Sequence, residues 1–382
     1  MNLILILLYG MTIIYGLNSA GHINNKKNNM FWLWCALILC LLTITSDSYA
    51  DLYNYENYYD DVTVKHWSIT YRAMPIMWGR LCLLFGKLHM TYRGMFCCVL
   101  IISSYFTHLF AKKLNCSENT FWSLFLIFPG LIHAVQLRFF LGSSLAMYGS
   151  SFILTETVSK KENIKKYFLF VVYLLLGTLI HSACIFIGVL FLTEKFKKIN
   201  VSKLVMITIG VVFALMISLP IMPSVLSLFL DPFYIQRYFT SSTSKTTWIR
   251  FLKIVLVWVS NVALAYFTIV SNKKLLINDR YGEPRERGIV SKCFAGICIF
   301  AVSLPLLAFD ENFHRFFEMG YILLYIIFSK LYMRKNIRNL DNRRWLLGML
   351  LVSLLYCIYV YYPLETIVFP LFRFEGFKSV IR

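Results

Sequence analysis

Apolar stretches separated by short basic segments run along the whole chain. They fall near 3–18, 30–45, 94–111, 119–135, 139–157, 204–221, 249–271, 289–308, 316–333 and 345–362. Each approaches the ~20 residues that a helix needs to cross a bilayer. Between them lie Lys26–Lys27, Lys112–Lys113, a Lys160/Lys161/Lys165/Lys166 group and a Lys195/Lys197/Lys198/Lys203 group. Further on come Lys273, Lys274, Arg280, Arg285, Arg287 and Lys292, then Arg334, Lys335, Arg338, Arg343 and Arg344. Placing every basic segment in the cytoplasm makes the apolar runs alternate in direction, as the positive-inside rule requires. The pattern predicts an all-α, polytopic integral membrane protein with about ten full spans.

Two stretches do not fit plain crossings. Residues 73–90 are apolar but carry Arg80 and Lys87, and a full crossing there would put Lys112–Lys113 outside. This stretch reads as an interfacial or re-entrant helix. Residues 167–193 are too long for one span, yet both flanks are basic. Two half-helices meeting near Thr178–Ser182 reconcile these facts. At ~1.5 Å per residue each covers roughly 20 Å, enough to bring His181 well into the bilayer. The expected organisation is a single transmembrane domain over 1–382, with outer loops near 46–93 and 221–247 and an outer amphipathic tail over 363–382. The first run lacks a basic n-region and a small-residue cleavage site, and reads as a retained span.

Composition agrees with this picture. At 382 residues, 58% apolar and 15% charged, the chain leaves no room for a separate soluble domain. A net charge of +19 suggests nucleic acid in a soluble protein; here the cytoplasmic loops account for it, and no nucleic-acid partner is expected. The ten cysteines mostly fall inside spans and show no zinc-site spacing, and no P-loop or dinucleotide fingerprint is present. No metal or cofactor is expected. The chain also lacks a convincing internal repeat, which disfavours transporter folds built on inverted repeats.

The candidate chemistry lies on the outer side. Arg138, in Gln136-Leu-Arg138-Phe-Phe, precedes the small-residue run Gly142-Ser-Ser-Leu-Ala146, a face that permits close helix packing. The structural alternative for it is an arginine snorkelling to headgroups. His181 suits proton transfer or ligand orientation; its structural alternative is a core histidine bonded to backbone freed by the broken helix. Arg237, Arg250 and Arg315 add guanidinium groups where the loop rule expects few, and arginine binds phosphate oxygens bidentately. The segment Asp47-Ser-Tyr-Ala-Asp51-Leu-Tyr53-Asn-Tyr55 opens an acidic, tyrosine-rich loop. Its carboxylates offer a general base and its tyrosines a stacking surface for sugars. A solvated acidic loop is the structural alternative.

Taken together, these pieces resemble the EpsG-type branch of the Wzy polysaccharide polymerases. The resemblance rests on the Asp47-to-Tyr55 segment, Gln136-x-Arg138, His181-Ser-Ala, Arg237-Tyr238 and Arg315, spread over almost the whole chain. It implies a GT-C-like glycosyltransferase of the bacterial inner membrane, with its active site facing the periplasm or outside. Such an enzyme moves a growing glycan from undecaprenyl pyrophosphate to the non-reducing end of a lipid-linked repeat unit, without a metal. Asp51, Asp47 or His181 would be the base; Arg138, Arg237, Arg250, Arg315, Tyr55 and Tyr238 would hold pyrophosphate and glycan. Membrane lipid, a chain-length regulator and a flippase are the implied partners. The rival readings are a lipid-linked oligosaccharide flippase or other transporter, an O-antigen ligase and a membrane acyltransferase.

Overall fold

The computed structural model describes residues 2–19, 30–46, 50–69, 74–155, 160–196, 201–227, 248–271, 284–309, 313, 315–332, 347–355, 358 and 368–381. Among them the architecture is all-α, with no strand beyond one isolated bridge between Met90 and Ile381. The chain forms two compact units. One takes Met1–Gly188, Tyr332–Arg338 and Cys357–Arg382; the other takes Val189–Leu331 and Asn339–Tyr356.

The first unit contains α1 (Leu3–Ser19), α2 (Phe31–Thr45), α3 (Ala50–Thr63), α4 (Ile76–Lys87), α5 (Tyr92–Lys113) and α6 (Glu118–Phe125). Next come a π-helical turn (Leu126–Gly130), α7 (Leu131–Val135), α8 (Leu137–Leu154) and α9 (Lys160–Ile180). Local signals set several of these ends. Thr91 caps α5 by accepting the Gly94 amide, and Lys112 and Lys113 occupy the last turn, where cations suit the helix dipole. Ser117 caps α6, with Glu118 in its first turn. Pro129 breaks the run that continues from α6, leaving Phe128 and Pro129 out of helical geometry. The Tyr9 hydroxyl donates to the Leu126 carbonyl at that break. By Phe140 the chain has reversed, so that its ring lies 5.7 Å from Phe125.

Helix α8 is buried on nearly every side and packs against α9 through small residues. A Cβ on Gly142 would stand 2.9 Å from the Gly177 carbonyl oxygen and 2.8 Å from Cys184 Sγ. One on Gly149 would stand 2.7 Å from Tyr173 Cβ. Close backbone approach of this kind is how helices associate in lipid.

The chain leaves α9 at His181 and continues as a 3₁₀ helix, Ser182–Phe196. A Cβ on Gly188 would lie 3.0 Å from Leu174 Cδ2, which two residues fourteen positions apart reach only if the chain doubles back. The break therefore falls inside the expected Thr178–Ser182 window. The arms are longer than half-helices, however. Glu162–Ile180 is long and apolar enough to cross a membrane, and the fifteen 3₁₀ residues extend about 30 Å at ~2.0 Å each.

Contacts in this unit fix which helix ends lie together. The Asn119 amide meets Ser19 Oγ at 2.7 Å, His108 Nδ1 meets Glu118 Oε2 at 3.2 Å, and Lys113 Nζ lies 3.9 Å from the Phe152 ring. All are at the basic-segment ends of their helices. At the opposite ends Arg93 donates to the Thr43 carbonyl, and the Glu375 amide donates to Thr45 at 2.9 Å. The described part of the C-terminal tail is mainly extended rather than helical.

The second unit contains α10 (Val201–Ser218), α11 (Met222–Leu226), α12 (Trp248–Ser271), α13 (Pro284–Ala301) and α14 (Arg315–Tyr332). Trp258 is buried against Tyr321, ring centroids 5.8 Å apart. Lys292, fully buried in α13, pairs with Glu194 at 2.8 Å. A charge at such depth requires a partner of this kind. An apolar cavity of about 600 Å³ is lined by residues such as Met206, Phe213, Val259 and Phe267.

Five helices among the described residues are long and apolar enough to cross a membrane, and Leu3–Ser19, Phe31–Thr45 and Ser202–Ser218 are shorter apolar helices. The expectation of about ten spans thus meets a smaller set. Pro129 divides the 119–135 run into short pieces, α14 carries Arg315, Glu318 and Lys330, and only part of the 345–362 run is described.

Candidate functional site

The segment expected as an acidic outer loop is a helix. Leu52, Tyr55, Tyr58, Tyr59 and Val62 form its buried face, recurring at helical spacing among polar residues. Tyr58 donates to the Ile69 carbonyl at 2.6 Å and Tyr59 to that of Met90 at 2.7 Å. Helix α4 lies alongside, placing Trp78 5.9 Å from the Tyr55 ring.

Arg138 occupies the first turn of α8 and reaches this helix pair. Its guanidinium carbon lies 5.6 Å from the Tyr55 ring centroid, a cation–π contact. Its Nη1 donates to Met74 Sδ at 2.8 Å, and its Nε is buried with no hydrogen-bond partner. Asp51, half-buried in the first turn of α3, stands one helical turn before Tyr55 and shares its face. Three expected site residues are thus brought into one neighbourhood.

His181 sits at the chain reversal, buried, with its ring edge-on to Phe139 at 5.2 Å. Phe139 follows Arg138, so the reversal packs beside the turn that carries the arginine. The Ala183 amide donates to His181 Nδ1 at 3.3 Å. A neutral imidazole with Nδ1 accepting carries its proton on Nε2.

The remaining candidates are placed differently. Arg315 opens α14 in the second unit, three residues before the buried Glu318. Arg250 lies in the first turn of α12, and its side chain is outside the described residues. Asp47, Arg237 and Tyr238 also lie outside them.

Several residues were not legible as site residues. Arg93, its side chain 4% exposed, pairs with Glu56 at 3.5 Å and donates to Thr43, tying α5 to α2 and α3. An arginine just ahead of an apolar run was its one signal. Asp61, one of the acidic-segment carboxylates expected as a possible base, pairs with Lys65 at 2.7 Å. Burial pushes the Cys82 thiol up to about 12. Burial also raises the Tyr58 hydroxyl to about 12, with nearby Cys82 adding to the shift and Arg138 opposing it. Among the described residues no group of three or more His, Cys, Asp or Glu side chains is placed to hold a metal ion.

Helices long and apolar enough to cross a membrane define a multi-pass membrane protein. Residues 31–371 match the model of the EpsG family. The chain belongs to the EpsG family. No curated protein and no solved structure matches it.

Proposed function

We propose that this protein polymerises a bacterial polysaccharide at the outer face of the cytoplasmic membrane. It transfers the growing glycan from undecaprenyl pyrophosphate to the non-reducing end of a lipid-linked repeat unit. The acceptor hydroxyl attacks the anomeric carbon of the donor glycan. The bond from that carbon to the pyrophosphate oxygen breaks, and the pyrophosphate departs with the electron pair. Asp51 takes the hydroxyl proton, with Asp47 as the other carboxylate candidate. A neutral His181 donates from Nε2 and serves to orient substrate. Arg237, Arg250 and Arg315 are assigned by the same reading to phosphate binding, and Tyr238 to the glycan. The reaction as drawn uses no metal.

The observation that carries this reading is the position of Arg138 in a member of the EpsG family. It stands in the first turn of α8, where free amides and the helix dipole already favour an anion. A cation adds unfavourable charge there unless a phosphate joins it, and a preorganised guanidinium stabilises charge developing on a leaving group. The test is in vitro polymerisation of a lipid-linked repeat by purified variants, with folding checked by thermal stability. Losing a charge-assisted contact costs roughly 1.5–3 kcal/mol. Arg138→Ala should therefore lower turnover about 10- to 100-fold, a larger effect than any rise in KM. Arg138→Lys should recover part of the rate, because it keeps the charge but not the fork. A folded alanine variant that polymerises at the wild-type rate would make Arg138 a membrane anchor.

A further inference from the structure

Three buried donors from three different helices of the first unit have no partner, and two of these side chains flank the Tyr55 ring. They are Trp78 Nε1, the Tyr92 hydroxyl and Arg138 Nε. Trp78 is fully buried and Tyr92 is 3% exposed. Trp78 lies 5.9 Å from Tyr55 centroid to centroid, the Arg138 guanidinium lies 5.6 Å from the same ring, and Tyr92 is within electrostatic reach of Tyr55, Arg93 and Glu56. Proteins rarely leave buried donors unmet, because each has lost its water without compensation. Two that flank one tyrosine, with a third on a ring packed against Tyr59 one helical turn further along α3, call for a shared acceptor. The one hydrogen bond that Arg138 makes among the described residues ends on the Met74 thioether, a weak acceptor that a sugar or phosphate oxygen outcompetes.

We propose that Trp78 and Tyr92 complete a sugar subsite with Tyr55 and Arg138, for the residue joined directly to the pyrophosphate. The Tyr55 ring lies against a face of the sugar. Trp78 Nε1–H, Arg138 Nε–H and the Tyr92 hydroxyl bond to its oxygens. A donor-rich, aromatic setting fits a pyranose and does not fit a bare hydrocarbon tail. Met74 withdraws from Arg138 when the sugar enters. The assignment rests on the polymerase reading, and it places in the site two residues that reading does not use.

Single-atom deletions test it. Trp78→Phe and Tyr92→Phe remove the unmet polar atom and keep an aromatic ring. Each should keep or raise the melting temperature, since an unsatisfied buried group is lost. Binding is measured on the full-length protein in detergent with two probes, the lipid-linked repeat extracted from a strain lacking this polymerase and sugar-free undecaprenyl pyrophosphate. Affinity for the repeat should fall about three- to ten-fold in each variant, as expected for one hydrogen bond. Affinity for the sugar-free lipid should stay at the wild-type value. Folded variants that bind the repeat as wild type does, or that lose both probes equally, overturn the subsite. Polymer formation by the wild-type protein is scored separately. Its absence retires the polymerase reading, while the binding result still decides the subsite.

Discussion

Tyr58 and Cys82 lie within electrostatic reach of one another, and both are pushed up to about 12, chiefly by burial. The unfolded thiol ionises near 9.0, so above that pH the unfolded chain gives up a proton that the folded chain retains. Stability contributed by the protonated thiol is complete below pH 9 and is lost as pH rises toward 12. The slope is at most about 1.4 kcal/mol per pH unit for one such group. Cys82→Ala should therefore flatten the fall in melting temperature between pH 9 and 11, and an unchanged alkaline slope would show that the thiol ionises in the folded protein. At this scale charge was the readable signal. Arg138 stood out because it interrupts an apolar pattern, and Tyr55 and Asp51 because they accompany acids. Trp78 and Tyr92 did not, since an aromatic residue in or beside an apolar run looks the same whether it fills a core or lines a site. Their role depends on which polar atoms lack partners, a property of the fold.

Helix α3 shows how an element escapes a pattern reading. Its acids and asparagines dominate the composition, and the buried face is carried by tyrosines, which mark a core less clearly than leucine does. The α9 reversal was more legible, because basic residues on both flanks demand an even number of crossings. What remained hidden was the 3₁₀ winding after His181, which lets fifteen residues reach as far as about twenty of an α-helix. The junction that holds the reversal in place is the contact of α8 with α9. A Cβ on Gly177 would overlap the Gly142 carbonyl oxygen and stand 3.2 Å from Ala146 Cβ. Gly177→Val should force the two helices apart, at the roughly 1–3 kcal/mol typical of overpacking. Because His181 lies four residues beyond and touches Phe139, polymerisation should fall further than stability alone explains. Measuring both on one preparation checks this: a variant with a lowered melting temperature and wild-type turnover at a temperature where it stays folded would uncouple the junction from the site.

Across the bundle of the first unit, the helix ends fall into two groups. The ends at Lys112–Lys113 and Glu118 gather together, and the ends carrying Arg93, Tyr55 and Arg138 gather opposite them. The fold thus keeps in three dimensions the alternation that the basic segments imposed along the chain, and sidedness becomes a single binary choice for the whole unit. Asn54 in α3 and Lys112 at the end of α5 are both exposed and mark the two ends. On a cysteine-free background, Asn54→Cys should react with a membrane-impermeant thiol reagent in intact spheroplasts, and Lys112→Cys only after the membrane is opened. The opposite labelling would put Arg138 and Asp51 in the cytoplasm and rule out the outer-face transfer proposed above. The expected result carries a physical consequence. Cytoplasmic lysines hold the orientation, whereas of the two arginines at the far end Arg93 is met by Glu56 and Arg138 has the Met74 thioether as its one hydrogen-bond acceptor among the described residues. Its charge at that end is then best accounted for by an anion that it binds, which in the proposed reaction is the pyrophosphate of the lipid-linked donor.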